Sequence, residues 1–144
     1  MGKKRVVAKT GSSSATVRSV KRSKKFGSKK LNVANLHIQA TYNNTKLSLH
    51  DSEGNLVLWA TSGGLGFSGA KKGTTFAAGR VAEQLAGQMV ELGVKDVNVV
   101  VKGVGSGREA ALRSFAAKGI NISSIRDATP IPFNGPKARK SRRV

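Results

Sequence analysis

The stretch of this 144-residue chain with the most obvious chemical potential is Gly103-Val104-Gly105-Ser106-Gly107-Arg108. It stands between a valine-rich run and a helical pattern, where a dinucleotide-binding fold would cradle a pyrophosphate. Asp127 follows Gly107 by 20 residues, the place of a ribose-binding acid. The spacing is G-x-G-x-G, however. A dinucleotide site needs G-x-G-x-x-G to provide the turn, the phosphate approach and the helix packing separately. The loop also comes late, with one crossover after it, so no cofactor is expected. His37 and His50 lie on strand patterns without an acid at ligand spacing. With no cysteine to join them, they read as surface histidines and no metal site is expected. His50 and Asp51 point to opposite faces of a strand and form no relay. Asp51, Glu53, Asp96 and Asp127 are expected as solvated carboxylates at strand edges and turns, too few to converge on two metals. No Ser or Thr has a base nearby. The chain reads as a non-enzyme with no small-molecule substrate.

Phosphate recognition is the chemistry that remains. Bare backbone at Gly103, Gly105 and Gly107, with Arg108 beside a helix N-terminus, is expected to face phosphate. On that reading Gly105→Val harms RNA binding more than folding. Lys71 and Lys72 adjoin the longest glycine-rich segment, residues 62–79, and Asn43 and Asn44 offer amides at a hairpin tip. The seven aromatic residues are too few for a stacking platform, and most have core places on strands and helices. Recognition should therefore run through phosphate, ribose and RNA shape.

These residues need elements to hold them. Leu36, Ile38, Ala40 and Tyr42 alternate with polar residues as in a half-buried strand. Asn43-Asn44-Thr45 reads as a turn, Leu47 and Leu49 as a second strand, residues 51–55 as another turn and 56–61 as a third strand. Ala78, Val81, Leu85, Met89 and Leu92 mark one face of a helix that Gly93 ends. Val97, Val99 and Val101 give a fourth strand, residues 109–118 a helix closed by Gly119, and 120–125 a fifth strand. The order β-β-β-α-β-α-β predicts an α/β fold with a mixed five-stranded sheet and helices packed on it.

Charge divides the chain further. It carries 26 Lys and Arg against 7 Asp and Glu, a formal charge of +19. Residues 1–30 hold eleven basic residues and no acid, among them Lys21, Arg22, Lys24, Lys25, Lys29 and Lys30. Residues 130–144 hold five, Lys137, Arg139, Lys140, Arg142 and Arg143, again with no acid. The body, 31–129, is nearly balanced and long enough for one core. Two polycationic ends, poor in apolar residues, are expected to stay disordered until a polyanion condenses them. A basic, Ser-rich start also describes an organellar transit peptide, but Lys outnumbers Arg and apolar periodicity is weak, so a retained arm fits better. No apolar run approaches the roughly 18 residues of a membrane span, and no membrane partner is expected. Asn134-Gly135 is the sole Asn-Gly pair. Glycine leaves its own nitrogen unhindered to attack the Asn side chain, which makes Asn134 a candidate for isoaspartate.

Four segments, HIQATYNNT, SGGLGFSGAKKGTTFAA, VKGVGSGREAALRS and RDATPIPFNG…RRV, closely resemble the small-subunit ribosomal protein S-eleven family in the same order. The resemblance runs from about Leu36 to Val144 and leaves residues 1–30 unmatched in detail. It implies a ribonuclease-H-like fold without nuclease activity. It also implies a place on the platform of the small ribosomal subunit, bridging ribosomal RNA helices near the messenger RNA exit and the Shine–Dalgarno cleft. The seventh and eighteenth small-subunit proteins would be neighbours. The location implied is the cytoplasmic ribosome of a bacterium, with a mitochondrial or plastid ribosome as alternative, and a free-standing RNA or DNA chaperone is the competing function. The sequence departs from the family's pattern at Val104 and Ser106, where proline is usual, and at Ser68 and Thr75, where arginine and proline are usual. Phe133, Pro136, Lys137, Ala138 and Arg139 replace the usual tail residues around Asn134-Gly135. A loop without those prolines is expected to be less rigid before binding.

Overall fold

The computed structural model describes residues 31–143; the basic residues expected to act between Lys21 and Lys30 lie outside them. Five strands form one sheet in the order β3-β2-β1-β4-β5: β1 Val33–Ala40, β2 Thr45–His50, β3 Leu56–Thr61, β4 Asp96–Lys102 and β5 Asn121–Asp127. The first three are antiparallel, and β4 joins β1, then β5 joins β4, in parallel. This mixed sheet with two crossover helices is the ribonuclease-H-like arrangement expected.

Helix α1, Thr75–Glu91, and helix α2, Gly107–Ala117, pack on each other and on one face of the sheet. The alternation along β1 decides which face that is. Ala34, Leu36, Ile38 and Ala40 are at most 1 % exposed and point at the helices, while Asn35, His37 and Gln39 point to the open side. Leu47, Leu49, Val97, Val99 and Val101 extend the inner layer, and Val81, Leu85, Met89 and Phe115 fill it from the helices. Each such side chain contributes about 1.5–3 kcal/mol on burial.

Both helices end alike. Gly93 (φ 77°) and Gly119 (φ 78°) adopt the left-handed conformation, and the next residue closes the helix. Val94 N–H donates to Met89 O (3.1 Å) and Ile120 N–H to Phe115 O (3.4 Å), as in a Schellman cap. Val94 and Ile120 are themselves buried, so the caps also seal the floor of the core.

Four local expectations change. Tyr42 leaves the sheet and is 78 % exposed, because Thr41 N–H donates to Asn44 O (2.9 Å) and closes the turn before it. Helix α1 starts at Thr75, ahead of the apolar periodicity, because the Thr74 hydroxyl accepts from Ala77 N–H (3.3 Å) and caps it. Asp51, expected in solvent, is buried; its carboxylate accepts from Ser52 N–H (2.7 Å) and it anchors the turn before β3. Among the described residues the aromatics are mostly outside the core: Phe115 is buried, while Tyr42, Trp59, Phe76 and Phe133 are exposed.

Candidate nucleic-acid interface

The glycine-rich segments converge on one end of the sheet, around the β1–β2 turn. Thr45 and Ser62 are fully buried there. The Ser62 hydroxyl receives Thr45 N–H (3.2 Å) and sits 2.8 Å from Lys72 O and 2.5 Å from Asn44 Oδ1. Its one proton serves one of those acceptors at a time. Ser62 N–H donates to Thr45 O (3.0 Å), so this residue joins the turn to the 62–74 segment. Sequence reasoning passed over Ser62. Its one signal was a small hydroxyl residue directly after a strand and before Gly63-Gly64.

The glycines fit the same junction. A Cβ on Gly73 would lie 2.0 Å from Tyr42 O, on Gly103 2.2 Å from Ala40 O, on Gly105 2.3 Å from Thr41 O, and on Gly107 2.5 Å from Thr45 Oγ1. Real Cβ atoms do not come that close, so all four positions require bare backbone for packing against the chain itself. Two of the amides expected to face phosphate are also engaged. Gly105 N–H donates to Ala40 O (2.9 Å) and Gly103 N–H to the Thr129 hydroxyl (3.2 Å). Gly107 and Arg108 lie within the first turn of α2 rather than in the loop. The glycine loop is therefore a close-packed joint between the sheet end and α2, because each glycine abuts a carbonyl or side chain of β1, β2 or the turn between them.

Arg108 completes this joint. Its Nη1 donates to Gly103 O (2.8 Å), and its Nη2 donates to Asp127 Oδ2 in an ion pair. Asp127 Oδ1 accepts from Thr129 N–H (2.8 Å) and the Thr129 hydroxyl (2.6 Å). Thr129 and then Arg108 hold the Asp127 carboxyl down at about 2. The Asp127 carboxylate is thus committed within the protein and not free for a ribose, and the C-terminal segment leaves the body from a pinned point.

Solvent-facing groups surround that joint. Asn43 is exposed and Asn44 is half-buried against Ser62. Lys71 is exposed and Lys72 half-buried on a 3-10 turn, Gly69–Gly73. The tail places Asn134 in an exposed turn with Phe133 and leaves Lys137, Arg139, Lys140, Arg142 and Arg143 exposed. The histidines stand apart, on the open sheet face, their rings edge to face at 4.7 Å. His50 Nδ1 lies 3.2 Å from Gly54 O and so carries the proton, leaving Nε2 to accept from the Ser48 hydroxyl (3.1 Å). Burial, then the neighbouring His50 and Lys102, pushes His37 down from 6.5. Among the described residues, no three His, Cys, Asp or Glu side chains gather where they could hold a metal, and no helix is long and apolar enough to cross a membrane.

A nearly neutral α/β body with a basic tail leaving from a rigid corner is the build of a protein held on a polyanion. A family model described as Ribosomal protein S11 matches residues 34–143, and the chain belongs to that family. It is 47 % identical over 127 residues, 88 % of this chain and 96 % of the other, to the small ribosomal subunit protein uS11 of Thermosipho melanesiensis. It is 52 % identical over 110 residues, 76 % of this chain and 87 % of the other, to that of Treponema pallidum. The uS11 protein of Francisella tularensis subsp. novicida is 47 % identical over 127 residues, 88 % of this chain and 98 % of its own.

Proposed function

We propose that this chain is a structural constituent of the small ribosomal subunit of a bacterium, in the cytoplasm, where it binds ribosomal RNA and takes no part in catalysis. The family match across residues 34–143 carries this reading, and the distribution of charge supports it. The finer placement is on the platform, bridging RNA helices near the messenger RNA exit and the Shine–Dalgarno cleft, beside the seventh and eighteenth small-subunit proteins.

The groups divide by role. Lys71, Lys72, Asn43 and the tail residues Lys137, Arg139, Lys140, Arg142 and Arg143 meet phosphate and ribose, with Lys21, Arg22, Lys24, Lys25, Lys29 and Lys30 adding the N-terminal arm. Gly103, Gly105, Gly107, Arg108 and Asn44 shape the surface that presents them. Isoaspartate at Asn134 would insert a kink and a negative charge between Pro132 and the basic residues that follow.

Sedimentation of a cell lysate tests the reading against a free-standing nucleic-acid chaperone. The protein should co-migrate with small subunits at physiological salt. Spreading through lighter fractions would favour the chaperone.

A further inference from the structure

The open face of the sheet has its own composition. Cross-strand register places Thr61, Lys46, Gln39 and Lys102 in one row, and Trp59, Ser48, His37, Val100 and Arg126 in the next. Lys46 and Lys102 flank Gln39 at two strand spacings, about 10 Å, and Arg126 lies one strand beyond. None of the three is in an ion pair among the described residues. The body's arginines on the helices contrast with them. Arg80 pairs with Glu83 (3.1 Å), Arg113 with Glu109 (3.2 Å), and Arg108 with Asp127. The acid on the open face of β4, Asp96, stands six residues from Lys102, about 20 Å along the strand, and accepts from the Asn121 amide. Like charges without a counterion, on a surface that no element of the body covers, call for an external anion.

Trp59 gives that anion a chemical identity. It is 51 % exposed on the strand next to Lys46, in the same row as the edge-packed His37. A π-face beside spaced cations, amides and hydroxyls suits a nucleotide, whose base stacks while its phosphates meet the lysines. We propose that the open sheet face is a second RNA-binding surface, taking an unpaired segment of small-subunit ribosomal RNA with a base on Trp59 and flanking phosphates on Lys46, Lys102 and Arg126. This rests on the reading of the chain as a ribosomal RNA-binding protein. It adds a surface to the loops and tails in which sequence reasoning placed every contact. A period-two strand pattern marks these positions as polar but does not show that three strands bring their cations side by side.

The test uses the full-length chain and a transcript of bacterial small-subunit ribosomal RNA. Lysines are acetylated with and without RNA and quantified by mass spectrometry, while filter binding reports affinity. Lys46 and Lys102 should be protected and Lys118, at the end of α2, should not. Combined Lys46→Gln, Lys102→Gln and Arg126→Gln substitutions should keep the melting temperature, weaken binding at least about tenfold, and flatten log K against log[salt] by about 2. Trp59→Ala should weaken binding by roughly tenfold, and Trp59→Phe by less. If RNA binds tightly while Lys46 and Lys102 react at their free rates and the triple variant binds normally, this surface is refuted and the ribosomal reading stands. If RNA fails to bind at all, both fall. Protection that appears with a neighbouring ribosomal protein and not with RNA assigns the face to that protein and refutes the proposal.

Discussion

At residue scale, Gly105 shows how a correct motif can be read for the wrong reason. The pattern that suggested phosphate approach is a pattern of close approach to Thr41 O, 2.3 Å from where a Cβ would stand. Gly105→Ala should therefore cost the free protein about 2 kcal/mol, lowering its melting temperature by roughly 10 °C with no RNA present. Gly105→Val should cost more, reversing the expectation that binding suffers before folding. A melting temperature unchanged for the alanine variant would refute the packing account. Asp127 supplies a pH signature. Its carboxyl is held at about 2 from an ordinary 3.8 by Thr129 and Arg108. The folded state therefore binds this proton less readily than the unfolded state. The stabilisation is present above about 3.8 and is lost as pH falls towards 2. Asp127→Asn should be less stable than the parent at neutral pH, with the gap closing across that window in urea melts; a constant gap would count against the network. At Asn134, exposed in its turn, mass spectrometry with fragmentation on protein from fresh ribosomes should show isoaspartate, and complete unmodified Asn would remove the idea.

At the scale of elements, the fold was largely readable because periodicity and punctuation agree. β1 alternates, α1 carries a long apolar face, and Gly93 and Gly119 mark ends that the chain uses as Schellman caps. What escaped reading depended on contacts distant in sequence. Tyr42 continues the alternation of β1 faithfully, yet the Thr41–Asn44 hydrogen bonds end the strand first. The aromatics look like core residues by type, and their exposure follows from which side of the sheet or helix they occupy. The site was legible in its residues and less so in their roles, since no local rule says that Gly103, Gly105 and Gly107 press against Ala40–Thr45. Ser106 illustrates the point. In place of a proline, its hydroxyl donates to Gly73 O (3.1 Å), tying the loop to the 3-10 turn and offsetting the stiffness a proline ring would provide. The tie between the turn and the 62–74 segment is Ser62. Ser62→Ala would leave the buried Thr45 N–H without a partner and should cost about 2 kcal/mol in chemical denaturation. A cost below half of that would mean the junction relaxes to re-pair it.

At the scale of the whole molecule, a near-neutral body joins two strongly basic ends, so affinity for RNA should depend on salt mainly through the ends. Each neutralised phosphate contributes about −0.7 to −0.9 to the slope of log K against log[salt]. Removing residues 1–30 should flatten the slope by several units, and an unchanged slope would show that the arm serves something other than RNA. The strand order has a further consequence, for synthesis. β1 is the centre of the sheet, yet one of its two partners, β4, lies 63 residues later in register, Val33 opposite Asp96. At roughly 5–20 residues per second, the 41 residues from Thr61 at the end of the meander to Lys102 at the end of β4 take about 2–8 s, during which the nascent meander keeps an open β1 edge and a bare apolar face. During that interval the growing chain is most open to mispairing with another copy, so the ribosome that makes this protein, or a factor bound to it, has reason to shield the first three strands until the fourth arrives.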